Sequence, residues 1–214
     1  SAAAARIAPV LRSVLAEASD NPDQPWRRFL LEWRAEGETL ACLARPDAAE
    51  LALAGPLTPD HVIRTKGPHL FLGDPLPLGD DIRLRAQLGA AVSAYRARYE
   101  AYVASQRGRA RTPITALDSL PRVILVPGVG IFSAGRTKAD ARIAADIADH
   151  TVRAKALASS LGRYTALSDG DLFDMEYWSL EQAKLGKSKD AALAGQVALV
   201  TGAAGAIGFA ICDR

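Results

Sequence analysis

The chain is 214 residues long, 49% hydrophobic and 23% charged, the balance of an ordinary soluble globular protein. Its net charge of +2 is too small to argue for nucleic acid or an anionic membrane as partner, and no apolar stretch approaches the roughly 20 residues of a membrane span. Two cysteines, Cys42 and Cys212, lack metal or redox spacing and are too few for a disulfide framework, which fits a reducing cytoplasm.

The start, Ser1-Ala-Ala-Ala-Ala-Arg-Ile-Ala-Pro9, has neither an initiator Met nor a basic region leading into an apolar core. It therefore reads as no signal peptide, and as a cut front. Ile7, Val10, Leu11, Val14 and Leu15 recur at helical spacing and predict a helix over 2–18, with Pro9 imposing a kink or a late start. Residues 19–24 read as a loop. Residues 25–33 read as a second helix burying Trp26, Phe29, Leu30 and Trp33.

From 37 to 79 the signals are short and broken by prolines. A short helix is expected over 47–54, a single turn from the Thr58-Pro59-Asp60 cap, and a strand over 69–72. A long helix over 80–106 follows, carrying Ile82, Leu84, Leu88, Val92, Tyr95, Tyr99 and Val103. Arg107, Arg109 and Arg111 lack interleaved aromatics and read as a solvated loop rather than an RNA contact.

The best-marked element is Arg122-Val-Ile-Leu-Val126, a strand ending in Pro127-Gly128 and returning as a second strand over 130–135. Thr137, with Asp140 three residues on, opens a helix to about Leu161 that Gly162 ends. Its stripe of Ala141, Ala144, Ala145, Ala148 and Ala156 predicts close packing against a neighbouring helix or sheet. Ser168 with Asp171, and Ser179 with Gln182, frame two further helical starts, and 186–190 is a charged linker.

After the linker comes Val197-Ala-Leu-Val-Thr-Gly-Ala-Ala-Gly-Ala-Ile-Gly208. An apolar strand passing into a Gly-rich turn and a helix start is how a dinucleotide-binding unit begins. Gly202 permits the tight turn, Gly205 lets backbone approach a pyrophosphate, and Gly208 lets helix and strand lie close, while the helix N-terminus offers free N–H groups. The candidate cofactor-binding residues are Thr201, Gly202, Ala204, Gly205, Ala206, Ile207 and Gly208. Such a fold occupies on the order of 100–200 residues, so the unit is expected to continue beyond Arg214. A Gly/Ala-rich loop without a ligand is the alternative.

These residues resemble the short-chain dehydrogenase/reductase family, whose first strand also ends in Thr-Gly. The family's usual Thr-Gly-x-x-x-Gly-x-Gly would put glycines at 202, 206 and 208. Here Ala206 follows Gly205, closer to the extended branch. The resemblance implies NAD or NADP as cofactor and a Tyr-x-x-x-Lys pair beyond Arg214. Neither Tyr164 nor Tyr177 has a lysine four residues later, so no catalytic residue is assigned.

Upstream, Pro121-Arg-Val-Ile-Leu-Val-Pro-Gly-Val-Gly-Ile-Phe132, Gly135-Arg-Thr137, Ala144-Ala-Asp-Ile147, Asp171-Leu-Phe-Asp-Met-Glu-Tyr-Trp-Ser-Leu-Glu-Gln-Ala-Lys184 and Thr58-Pro-Asp-His-Val-Ile-Arg-Thr-Lys66 resemble the bifunctional rhamnulose-phosphate aldolase/short-chain dehydrogenase family. That resemblance implies a cytoplasmic sugar-catabolism enzyme. It would cleave a ketose or ketose phosphate such as rhamnulose-1-phosphate, oxidise lactaldehyde or a similar alcohol or aldehyde, and form a homo-oligomer. Class II aldolases hold zinc with a His-x-His pair, a His-Gly turn and an acid. Pro127 stands at the His-Gly position, so zinc is expected only upstream of Ser1 and no metal ligand here. His61, His69 and His150 lack ligand spacing and read as surface or structural residues.

The expected fold is α/β: an aldolase-like three-layer region, then the start of a Rossmann-type doubly wound parallel sheet. The expected domains are a helical C-terminal part of the aldolase region over 1–57, a degenerate aldolase-like subdomain over 58–185, a linker over 186–192, and the dehydrogenase start over 193–214. The partners expected are a small sugar or aldehyde, with no nucleic acid and no membrane. Two rival readings remain: a single-function dehydrogenase with an N-terminal extension, and a non-catalytic connector between two catalytic units.

Overall fold

The computed structural model describes residues 1–22, 24–110, 113–184 and 195–213. Helix α1 (Ala2–Val14) starts at Ser1, whose hydroxyl accepts from Ala4 N at 3.3 Å. It runs through Pro9 and stops at Val14, short of the end expected at 18. Proline removes one helical donor, and burial of Ala4, Ile7 and Leu11 offsets that loss.

The helix expected over 25–33 is absent. Glu17–Ala18 (β1) and Trp26–Arg27 (β2) form a short antiparallel pair, and Leu30–Arg34 is a strand, β3. The reason is a partner distant in sequence. β3 lies antiparallel to Gly130–Gly135 in the register Leu30↔Gly135 to Arg34↔Ile131, and Trp33 Nε1 donates to Val129 O at 3.2 Å. Tertiary pairing overrides the local helical pattern.

Three short helices follow: α2 (Gly37–Leu43), α3 (Ala48–Leu53) and α4 (Val62–Thr65), the last preceded by a single turn over Pro59–His61. β4 (Leu70–Phe71) leads to the long helix α5 (Asp81–Gln106), capped by Asp80, whose carboxylate accepts from Ile82 N and Arg83 N, both at 3.0 Å. The hairpin β5 (Val123–Val126) and β6 (Gly130–Gly135) then feeds α6 (Lys138–Leu161), whose cap Thr137 accepts from Asp140 N at 3.1 Å. Helices α7 (Asp169–Glu176), α8 (Ser179–Lys184) and α9 (Ala206–Asp213) complete the order.

The larger sheet has the order β3-β6-β5-β4, parallel only between β4 and β5. All residues of β5 and β6 are buried, because helices cover both faces. Ile124, Val126, Phe132 and Ala134 face α1 and α5. Val123, Leu125 and Ile131 face Leu43, Ala52 and Ala148 on α2, α3 and α6. The alanine stripe of α6 lies against the sheet, as its spacing predicts. At its closest, a side chain added at Gly135 would sit 2.2 Å from Ala141 N, so only glycine admits this approach. The chain is a mixed α/β fold with helices on both faces of its sheet. The boundary expected at 57/58 runs through that sheet, since β3 is hydrogen-bonded to β6. Among the described residues, no helix is long and apolar enough to cross a membrane.

Residues 197–200, expected to form a strand, pair with no strand among the described residues, and Val197 and Leu199 are 71% and 94% exposed. A strand exists only through its neighbours, and none lies beside this segment. The linker 186–192, Leu193 and Arg111 fall outside the described residues.

Candidate functional site

The glycine motif forms a turn over 201–204 that runs into α9. Gly205 N donates to Gly202 O and Phe209 N to Gly205 O, each at 2.9 Å. Gly202 has φ +67°, which favours glycine. A side chain at Gly208 would sit 2.3 Å from Gly202 O, whereas one at Gly205 would sit 3.4 Å from that atom. The turn therefore requires glycine at 208, favours it at 202 and tolerates a small side chain at 205. Thr201, Gly202, Ala204, Gly205, Ala206 and Ile207 are exposed, and Gly208 is buried. The turn leads directly into the first residues of α9, whose N–H groups have no partner within the helix.

The hairpin turn at Pro127-Gly128 has the expected shape, with Gly128 at φ +72° and Gly130 at φ +129°. Proline offers no side-chain ligand atom, so this turn does not fit a zinc ion. His61 and His150 come near enough to interact, and burial followed by His150 pushes His61 below its ordinary value. His69 lies apart, wholly buried, and is pushed down to about 3 by burial and then by Lys155. Among the described residues, no three His, Cys, Asp or Glu side chains gather in a metal-binding group.

A buried polar cluster was not visible in the sequence pattern. Lys66 caps α4 at φ 62°, left-handed for a non-glycine residue, and is 2% exposed. Its ammonium donates to Asp118 O and lies 3.8 Å from the centre of the Tyr99 ring. Asp118 accepts from Arg122 on both oxygens, at 3.0 and 2.5 Å. Burial pushes the Asp118 carboxyl up, but the Arg122 charge and hydrogen bond outweigh it and hold the group well below the usual range.

On the other side, Tyr99 Oη donates to Glu176 Oε1 at 2.8 Å and meets Tyr177 Oη at 3.0 Å. Glu176 is fully buried. The Tyr102 hydroxyl sits beside its carboxylate without reaching hydrogen-bond geometry. Burial pushes Glu176 up against the pull of Tyr99 and Lys66. Burial and then Arg122 push Lys66 down to about 7. Both partners move toward neutrality, as low dielectric demands. Next to the cluster, Gly67, Tyr95, Arg98, Tyr99, Tyr102 and Leu172 line a cavity of about 280 Å³.

This arrangement pins three stretches of chain together: the α4 end, the loop before β5, and α7 against α5. Sequence reasoning singled out the segments 58–66 and 171–184 but not Lys66 or Glu176 within them. A left-handed lysine and a buried glutamate have no local signature.

A model of the family described as Aldolase class II, second domain, matches residues 2–185. The uncharacterized oxidoreductase YuxG of Bacillus subtilis is 29% identical over 212 residues, covering 98% of this chain. The chain spans only 29% of the length of that relative. The crystal structure of YgbL from Escherichia coli aligns with a TM-score of 0.45 and 16% identity over 81% of this chain and 65% of that one.

Proposed function

The chain belongs to the class II aldolase second-domain family, and from that premise we propose that it is the metal-less half of an aldolase region joined to a nicotinamide-dependent short-chain dehydrogenase. The whole protein would break the carbon–carbon bond of a ketose or ketose phosphate such as rhamnulose-1-phosphate, then oxidise the lactaldehyde released. The observation that carries this reading is the succession of elements. A family match ending at residue 185 is followed within one chain by a glycine turn in which Gly208 has no room for a side chain and Gly202 sits at a positive φ that favours glycine.

A relative named as an oxidoreductase, matched across both parts, supports the redox half. The exposure of Leu199, Ile207, Phe209 and Ile211 further supports it, since each would be covered by the rest of a parallel sheet and its helices. Gly202, Gly205 and the first N–H groups of α9 would hold the cofactor pyrophosphate, with Thr201, Ala204, Ala206, Ile207 and Gly208 shaping the turn. When bound, the nicotinamide would accept hydride. Zinc ligands are expected on other parts of the protein, because Pro127 cannot supply one.

For this chain alone we propose a docking role, holding the aldolase and dehydrogenase units together. The favouring observation is that the Lys66 and Glu176 side chains are built into the core rather than open to solvent.

The test is to incubate the zinc-loaded full-length gene product with rhamnulose-1-phosphate and assay lactaldehyde by chromatography. Release of lactaldehyde by the whole protein, with none from residues 1–214 alone, is expected. Absence of cleavage by the zinc-loaded whole protein contradicts the aldolase half.

A further inference from the structure

A second site lies on the opposite side of the sheet from α6. Helix α1, the β2–β3 connection and α5 enclose a pocket of about 420 Å³ lined by Pro9, Arg12, Ser13, Trp26, Arg28 and Arg85. Three arginines line it, and the Arg28 charge acts on Arg12. Among the described residues none of the three forms a salt bridge, although arginines such as Arg6, Arg34, Arg45 and Arg122 do.

Two of them are held in place by neutral acceptors. Arg12 Nε donates to Phe29 O at 3.0 Å and its Nη2 donates to Gly195 O. Arg85 Nη1 donates to Ser13 Oγ at 2.5 Å. Carbonyl and hydroxyl oxygens orient a guanidinium without neutralising it, and each retains further N–H donors. Arg28 completes the group. Burial and then the Arg28 charge push Arg12 below its ordinary value. The nearby carboxylates are already engaged: Asp81 with Arg6, and Glu17 with Arg96 and Arg136. Trp26, 47% exposed, forms an aromatic wall of the pocket.

Arginines that line one pocket and, among the described residues, pair with no carboxylate can recognise phosphoryl oxygens by forked, charge-assisted hydrogen bonds, and two of these three are already held in place. An aromatic face beside them suits the C–H face of a small ring. The pocket falls within the size range of small-molecule sites. We propose that this pocket binds a small phosphate monoester, with its phosphoryl oxygens on Arg12, Arg28 and Arg85 and its carbon skeleton against Trp26. The proposal is independent of the aldolase and dehydrogenase reading, and neither depends on the other.

The test is calorimetric titration of the 214-residue chain with ribose-5-phosphate, ribose and inorganic phosphate, at low and at physiological salt. Saturable binding of ribose-5-phosphate is expected, weaker for inorganic phosphate, absent for ribose, and reduced by salt. Trp26 fluorescence should change with the same saturation curve and lose that change in Trp26→Phe. Arg28→Gln, whose backbone contacts are untouched, should keep the thermal melting point and weaken binding by about tenfold or more. The proposal is overturned by equal affinity in Arg28→Gln or by equal binding of ribose. It is also overturned if only single-stranded DNA binds, which would make the arginines a nucleic-acid patch.

Discussion

The Tyr99 hydroxyl donates to Glu176 Oε1 at 2.8 Å, joining the middle of α5 to the last residue of α7 across 77 positions of sequence. The same hydroxyl meets Tyr177, and the Tyr99 ring carries the Lys66 ammonium on its face. One side chain thus serves a carboxyl, a phenol and a cation at once. Removing the hydroxyl leaves a fully buried carboxyl without its donor, a loss in the range of about 1–3 kcal/mol. Tyr99→Phe is expected to lower the urea midpoint by that amount with an unchanged slope. An unchanged midpoint would mean the cluster contributes nothing to stability.

His69 gives the pH dependence its sign. Its folded value, about 3, lies below the ordinary 6.5 because burial and Lys155 disfavour the imidazolium. The unfolded chain binds a proton below pH 6.5 while the folded chain does not, so stability is fully present above 6.5 and is lost as pH falls toward 3. The slope from this group reaches about 1.4 kcal/mol per pH unit. Glu176, whose folded value is raised, acts in the opposite sense over part of this window. The comparison is therefore between the parent chain and His69→Gln, whose stability should fall less steeply from pH 6.5 to 4.5. The His69 ring protons should show no titration by NMR over the same range. Titration with a midpoint near 6.5 would refute the buried-neutral assignment.

The glycine turn separates two substitutions that look alike in sequence. A side chain at Gly208 would collide with Gly202 O at 2.3 Å, but one at Gly205 would meet it at 3.4 Å. In the full-length protein, Gly208→Ala should weaken nicotinamide dinucleotide binding by about tenfold or more, and Gly205→Ala by clearly less. The reverse order would remove the structural reason for assigning this turn to the cofactor.

Much of the fold was legible locally. Thr137 and Ser168 cap their helices through Asp140 N and Asp171 N as the capping pattern requires. The stripe places α5 against the core from Leu84 to Val103, with Ile82 in its first turn left exposed, and the hairpin around Pro127 has the anticipated strands. The misread segments depend on remote partners. Residues 25–33 have apolar spacing compatible with a helix, and pairing of β2 with β1 and of β3 with β6 makes the stretch extended. Val197 to Val200 has strand composition without a neighbouring strand among the described residues. Lys66 and Glu176 were invisible as a pair because nothing within either segment signals that α4 and α7 meet beside α5. The three arginines of the α1–α5 pocket are distant in sequence for the same reason.

Pro127→His tests the reading of the hairpin turn. The substitution restores one imidazole at a turn where, among the described residues, no group of potential ligands is assembled. One ligand does not hold zinc against water, since structural and catalytic sites use three or four. The variant should contain no stoichiometric metal by elemental analysis after exposure to zinc and dialysis. Retained metal would contradict the metal-less assignment of this half.

The most direct measurement of the central claim follows NADH absorbance when the purified full-length protein receives rhamnulose-1-phosphate and NAD, with no other enzyme present. If an aldolase region and a dehydrogenase share one polypeptide, NADH should appear after a lag while lactaldehyde accumulates, and without a lag when lactaldehyde is supplied directly. Failure of the zinc-loaded whole protein to reduce NAD or NADP from either substrate would contradict the account.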